Sequence, residues 1–268
     1  MAAYQLGFIG VGNMGAALAR AACKTVDPAR VAVANRTPEK AATLAAALGC
    51  AAVDNAAAAK DSEFLFLGVK PQMMEQMLSG IRPVLTARQD RFVLVSMAAG
   101  LPIARIRALA GPYPVIRIMP NTPVSVGAGM TLYTCSDDVT VQERETFLAA
   151  MAAAGAFDEL PEALIDAGCA VSGCGPAFAC LFLEALADGG VACGLPRKKA
   201  LAYSAQTLRG TAELLLQTDG HPGVLKDAVC SPAGSTIAGV HALEAHAFRA
   251  AAFEAVEAAY RRTKELGA

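Results

Sequence analysis

FIGVGNMGAALAR, residues 8–20, decides how the rest of the chain is read. Phe8 and Ile9 end a short apolar run that starts at Tyr4, and the pattern after Gly15 is helical. Between them Gly10, Gly12 and Gly15 fit Gly-x-Gly-x-x-Gly. At a strand-to-helix junction this spacing has a mechanical reason. Gly10 allows the tight turn out of the strand, Gly12 lets a pyrophosphate approach the backbone, and Gly15 lets the helix lie close on the sheet. Three glycines alone are a weak signal; an apolar strand before them and a helix after them strengthen it. The stretch predicts a dinucleotide at the head of the first helix, beside Asn13 and Met14.

Outward from this junction, strand and helix signals alternate. RVAVANR, EFLFLGV, RFVLVSM and PVIRIMP read as buried strands, with helical patterns such as PEKAATLAAAL between them. MTLYTC and AFDELP add late strands around the helix VTVQERETFLAAMAAAG. Apolar runs buried on both faces and separated by helices indicate a mostly parallel sheet of βαβ units, an α/β Rossmann domain. After Pro161 the strand signals stop, and long helical stretches are broken by SGCGP, GLP, DGHPG and CSPAGS. The expected division is a dinucleotide-binding domain over 1–160 and an all-α domain over 161–268.

Composition excludes some function classes. The net charge is −1, which gives no reason to expect nucleic-acid or anionic-membrane binding. Eight scattered cysteines, with no signal peptide before them, read as reduced thiols in a cytoplasmic protein. The uncharged run AGCAVSGCGPAFACLFL, residues 167–183, is interrupted by Gly173, Gly175 and Pro176, so it reads as a buried helix start and not a membrane span. The apolar helix from Ala177 to Leu186 needs more cover than one chain offers, which points to a homodimer.

Strand ends name the candidate cofactor residues, because ligands of open α/β sheets bind beyond the carboxyl ends of the strands. The second strand is followed by Asn35, Arg36 and Thr37, where an NAD-preferring site carries an acid. An arginine flanked by an amide and a hydroxyl suits a 2′-phosphate, so NADPH is expected, with NADH as the weaker alternative. Asn55 follows the short third strand on the adenine side. Val69, Lys70 and Pro71 end the next strand; small Ala98 and Ala99 let a nicotinamide ring lie flat on the backbone.

In DAVCSPAGSTIAGVHALE, residues 227–244, six small or polar residues separate two helical segments. That is more than a surface turn needs. It suits an anion-binding helix start, where unpaired amides converge and large side chains would block them.

These pieces together have a family likeness. Gly10 to Gly15, VKP, SMAAG, RIMPNTP, VSGCGPAF, EALADGGVACGLPR and SPAGSTIAG occur in this order, and the chain resembles pyrroline-5-carboxylate reductase over nearly its whole length. The resemblance implies an N-terminal Rossmann domain carrying NAD(P)H and a helical C-terminal domain that forms an interleaved dimer, with decamers in some members. It implies reduction of the C=N bond of 1-pyrroline-5-carboxylate to L-proline, the last step of proline biosynthesis. The substrate would sit between the nicotinamide and the loop from Ser231 to Thr236. Ser231, Gly234, Ser235 and Thr236 are then the substrate-binding residues: amides at the loop's end take the carboxylate, and the Thr236 hydroxyl, the catalytic candidate, contacts the ring nitrogen.

A protonated imine is already electrophilic, so the reaction needs positioning and a dry pocket more than a strong general acid. Two departures from the family pattern stand out. Cys174 replaces a serine in Ser-Gly-Ser-Gly-Pro-Ala; it reads as a small buried thiol, with oxidant sensitivity as the alternative. Ala233 replaces a glycine, and its methyl is expected to remove access to positive φ. Glu184 and Asp188 lie one turn apart and read as an exposed or interface face. MMEQM reads as a helix face near the surface. His221, His241 and His246 share no metal-ligand spacing, so no metal is assigned. Two alternatives remain: a β-hydroxyacid dehydrogenase, disfavoured because no lysine lies between SGCGP and Lys198, and an NADPH-binding redox sensor.

Overall fold

The computed structural model describes residues 2–267. Eight strands form one sheet: β1 (Tyr4–Ile9), β2 (Val31–Ala34), β3 (Ala51–Ala52), β4 (Ser62–Leu67), β5 (Val93–Ser96), β6 (Val115–Met119), β7 (Gly129–Cys135) and β8 (Gly155–Glu159). Their order is β3-β2-β1-β4-β5-β6-β7-β8, and every pairing is parallel except β6 with β7. The order turns between β1 and β4, the switch point at which a doubly wound sheet binds its ligand.

Six helices cover the two faces of this sheet: α1 (Asn13–Ala22), α2 (Pro38–Leu48), α3 (Asn55–Asp61), α4 (Pro71–Ala87), α5 (Ile103–Ala110) and α6 (Val141–Met151). Alternation along the strands makes two cores. Phe8, Phe64, Phe66 and Val95 pack with Leu18 of α1 and Phe147 of α6. Ile9, Leu65, Leu67 and Leu94 pack on the other face with Met74, Leu78 and Ile106 of α4 and α5. The Phe8 and Phe66 rings stack at 4.3 Å between centroids. These aromatic and branched side chains explain why the central strands read as continuous apolar runs.

The first compact unit extends past Leu160. It runs to Cys174 and takes in the chain from Ala259 onward. The reason lies in α7 (Glu162–Gly168), which is ionically fastened to the sheet. Arg117 of β6, its side chain 3% exposed, pairs with Glu162 at 3.3 Å and Asp166 at 2.7 Å. Glu162 also accepts from the Ile103 amide at 2.7 Å, and Lys264 approaches Asp166 at 3.7 Å. A buried arginine is held only where carboxylates surround it.

The glycines of 173 and 175 do not break the helix, contrary to the sequence reading. The chain widens into one π turn at Cys169–Gly173, where the Cys174 amide donates to the Cys169 carbonyl at 3.0 Å, and then continues as α8 (Gly175–Ala192). The stretch Glu162–Ala192 is therefore long and apolar enough to cross a membrane by length and composition.

The second unit contains α8, α9 (Arg197–Thr218), α10 (Pro222–Ala228), α11 (Ser235–Ala245) and the first part of α12 (Phe248–Gly267). Phe182 of α8 meets Phe248 of α12 at 5.3 Å between rings. Within α8 only Ala187 is fully buried, while Leu181 is 70% exposed. Leu214, Leu216 and Phe253 are likewise exposed. So many exposed large apolar side chains in one unit call for a protein partner.

Candidate functional site

Within the first unit, a cleft of ≈ 1120 Å³ opens at the switch point. Gly10 and Gly12 of the β1–α1 turn line it, with Asn35, Arg36 and Thr37 after β2, Asn55 at the start of α3, and Val69 and Lys70 after β4. Eight of the predicted cofactor residues thus share one cavity. The glycine roles can be tested on the backbone. Gly10 has φ +95°, and a Cβ there would lie 2.6 Å from the Gly68 carbonyl oxygen. A Cβ on Gly15 would lie 2.1 Å from the Gly10 carbonyl oxygen, so the helix cannot seat with any side chain there. Gly12 is different: a Cβ would meet no protein atom within 4 Å. Packing therefore does not require Gly12, and its bare backbone leaves an open approach for a ligand.

The remaining predicted cofactor residues do not line the cleft. Asn13 is exposed, Met14 packs on a core cluster, and Gly15 lies behind the turn. Pro71 starts α4. The Ala98 methyl is buried in the core with Ile9 and Leu67, so Ala98 has only backbone to offer a ring. Ala99 packs against Met119 and Ile165.

Asn35 has a bracing geometry. Its Oδ1 accepts from the Val11 amide at 3.3 Å, and its Nδ2 donates to the Thr37 carbonyl at 3.1 Å. The side chain ties the glycine turn to the loop that carries Arg36. Three cations, Arg36, Lys40 and Lys70, line the cleft, and none has an ion-pair partner among the described residues. The one lining carboxylate, Asp54, accepts from the Ala57 amide at 2.7 Å as the cap of α3. A cleft with this balance, in a chain of net charge −1, suits a polyanionic ligand. These cations and the open approach at Gly12 fit a phosphorylated dinucleotide.

Lys40, Met73, Gln76 and Met77 also line the cleft. The sequence MMEQM alone predicts a helix face near the surface. In the structure Met74 is in the core, while Met73 and Met77, one turn apart, form the cleft wall. The signal was the i, i+4 spacing of two methionines on the other side of a core position.

In the second unit, the loop before α11 presents a set of unused donors. Gly234 is the N-cap with φ −76° and ψ 167°, and no side chain caps the helix. The first helical bond runs from the Ala238 amide to the Gly234 carbonyl at 3.3 Å. The amides of Ser235, Thr236 and Ile237 precede it and have no intrahelical acceptor. The hydroxyls of Ser231, Ser235 and Thr236 have no partner among the described residues, and all three side chains are exposed. A Cβ on Gly234 would lie 2.3 Å from the Ser231 Oγ. Small residues here are therefore a requirement of the turn as well as of any ligand.

One expectation about this loop is overturned. Ala233 adopts φ +57° in spite of its methyl. The left-handed region costs a non-glycine residue about 1–2 kcal/mol, which the turn absorbs. Asp188 pairs with Arg197, so it is not half of a carboxylate dyad with Glu184. His221 accepts from the Gly223 amide at 3.0 Å and caps α10. Cys174 is half-buried, and its thiol is in hydrogen-bonding contact with the buried Cys169, whose own thiol burial pushes up to about 11. The Cys169 thiol, so protonated, is a poor nucleophile. Asn121, missed in the sequence, donates to the Ser172 carbonyl at 3.0 Å and accepts from the Met130 amide at 2.9 Å, which steadies the π turn.

Comparison with known proteins gives a consistent result. The family description "Pyrroline-5-carboxylate reductase dimerisation" matches residues 162–266, and "NADP oxidoreductase coenzyme F420-dependent" matches residues 5–100. A pyrroline-5-carboxylate reductase of Synechocystis sp. is 47% identical over 80% of this chain and 79% of its own. The enzyme of that name from Methanosarcina acetivorans is 39% identical over 98% of both chains. The crystal structure of Plasmodium falciparum pyrroline carboxylate reductase with NADP bound superposes with a TM-score of 0.89 at 29% identity, covering 100% of each chain.

Proposed function

This chain belongs to the pyrroline-5-carboxylate reductase family, and from that premise we propose how its own residues divide the work. The enzyme reduces 1-pyrroline-5-carboxylate to L-proline with NAD(P)H. When bound, the reduced nicotinamide supplies the hydride to the imine carbon. Gly10 and Gly12 receive the pyrophosphate, Arg36 and Thr37 take the 2′-phosphate that favours NADPH, and Asn35 braces the two. Asn55 and Val69 border the adenosine half, and Lys70 adds positive charge near the diphosphate. Asn13, Met14, Gly15 and Pro71 shape the helix ends around it. Ala98 and Ala99 offer the nicotinamide bare backbone.

The amides of Ser235 and Thr236 grip the substrate carboxylate at the positive end of α11, and Ser231 and Gly234 shape that seat. The Thr236 hydroxyl holds the ring nitrogen; it can accept from the protonated imine and still donate to the amine that replaces it. The observation that carries this reading is the α11 head, where three amides and three hydroxyls have no acceptor among the described residues. The chain works as a homo-oligomer on a small-molecule substrate. A dimer is the minimal unit, and five dimers in a decamer are its larger form. The exposed apolar side of α8 serves that interface and not a bilayer, and the eight free thiols suit the reducing cytoplasm.

The test is direct. Adding 1-pyrroline-5-carboxylate to the enzyme and NADPH should consume the cofactor and yield proline in equal amounts, with slower consumption of NADH. No consumption of either cofactor would contradict the assignment.

A further inference from the structure

We propose that Glu162 is a positioning residue for hydride transfer: it holds the head of α5, and through it the β5–α5 loop that offers the nicotinamide its backbone. The inference rests on the proposed function and deepens it. The loop runs from Met97 to Pro102 and contains Ala98 and Ala99. Its own ties are long. The Ala98 amide donates to the Ser96 hydroxyl at 3.5 Å, and the Leu101 amide donates to the Ala98 carbonyl at 3.4 Å. Contacts at that distance fix little. The loop therefore depends on what holds its far end.

Helix α7 supplies that hold. Ala99 packs against the core cluster that contains Ile165 of α7. Glu162 Oε1 accepts from the Ile103 amide at 2.7 Å, the first amide of α5. This amide has no acceptor within its own helix, and the N-cap, Pro102, makes no side-chain cap bond. A carboxylate here also faces the positive end of α5. The same Oε1 accepts from the Arg117 guanidinium at 3.3 Å, while Asp166 accepts from it at 2.7 Å. The two carboxylates of α7 thus divide the work. Asp166 makes the short bond to Arg117 and fastens α7 to the sheet. Glu162 makes its short bond to α5, so the buried Arg117 steadies the carboxylate and the carboxylate steadies the loop. Placement is where hydride transfer is most sensitive, since a misplacement of about 1 Å can cost about 10²-fold in rate.

The experiment compares wild type, Glu162→Ala, Glu162→Gln and Asp166→Asn. Amide hydrogen exchange on the free proteins reads the loop, and steady-state kinetics with NADPH and 1-pyrroline-5-carboxylate reads the placement of the ring. Glu162→Ala should speed exchange over residues 97–103 by about 10-fold. It should lower kcat by about 10- to 100-fold with the NADPH KM within about twofold, because Glu162 does not line the cofactor cleft. NADPH deuterated at the transferred position should show a larger isotope effect on kcat in this variant, as hydride transfer becomes the slow step. Glu162→Gln keeps the Oε1 acceptor and should restore most of the turnover and of the protection. Asp166→Asn should lower the melting temperature and leave kcat and the exchange of 97–103 within about twofold of wild type. A Glu162→Ala enzyme that melts lower but turns over at the wild-type rate would overturn the inference. So would equal kcat losses in Glu162→Ala and Asp166→Asn, or a Glu162→Gln as slow as Glu162→Ala. A wild type that consumes no NADPH with the imine would overturn the proposed function instead, and faster exchange in Glu162→Ala would still show the hold of Glu162 on the loop.

Discussion

Replacing Gly12 by valine should leave the fold intact and raise the KM for NADPH by about 10²- to 10⁴-fold. Gly12 has φ −67°, which any residue adopts, and a Cβ there meets no protein atom within 4 Å. The fold thus has no use for a bare backbone at this point. On the proposed function the cofactor does, because its pyrophosphate comes within hydrogen-bonding distance of the amides heading α1. Each amide–phosphate bond is worth about 1.5–3 kcal/mol, so losing two costs about 3–6 kcal/mol. At 1.36 kcal/mol per tenfold this gives the stated range. The check is the NADPH KM beside the thermal melt of the free protein. A KM within about tenfold of wild type, with the melt unchanged, would remove Gly12 from the cofactor site. Gly15 makes the contrasting control: a side chain there collides with the Gly10 carbonyl, so a valine should unfold the junction.

Thr236→Ala should lower kcat/KM for the imine by about 10- to 100-fold while the NADPH KM stays put. The hydroxyl is exposed and has no partner among the described residues, so its loss costs the fold little. On the proposed function its work lies in one charge-assisted bond to the ring nitrogen, worth about 1.5–3 kcal/mol. Thr236→Ser keeps the hydroxyl and should stay within about fivefold of wild type, since only a methyl is lost. Steady-state kinetics with both variants decides it. Equal turnover in Thr236→Ala and wild type would strip the hydroxyl of any role.

The parts of this enzyme that were legible in its sequence are those in which local chemistry and fold agree. β1, the glycine turn and α1 were readable because a strand, a tight turn and a close helix each need a particular residue type at a fixed offset. The alternating strands of the sheet were readable for the same reason. The π turn was not. Gly173, Gly175 and Pro176 are helix breakers locally, yet Pro176 falls in the first turn of α8, where a missing amide proton costs nothing. The Arg117 network escaped notice because a lone arginine in an apolar strand does not announce its partners, and these come 45 and 49 residues later. Ala233 departs from the expectation because positive φ costs a non-glycine residue only about 1–2 kcal/mol, which a well-determined turn can bear. Lys40 lines the cleft without having stood out in the sequence, because a lysine on a helix is ordinarily solvent-facing.

Among all these claims, the grip of the α11 head on the substrate's acid group is the one on which the mechanism depends. A structure of the complex with proline and NADP+ measures it. The account predicts the proline carboxylate about 2.7–3.1 Å from the Ser235 and Thr236 amide nitrogens, with the ring nitrogen at the Thr236 hydroxyl. Proline bound elsewhere, with those amides facing solvent, would contradict it.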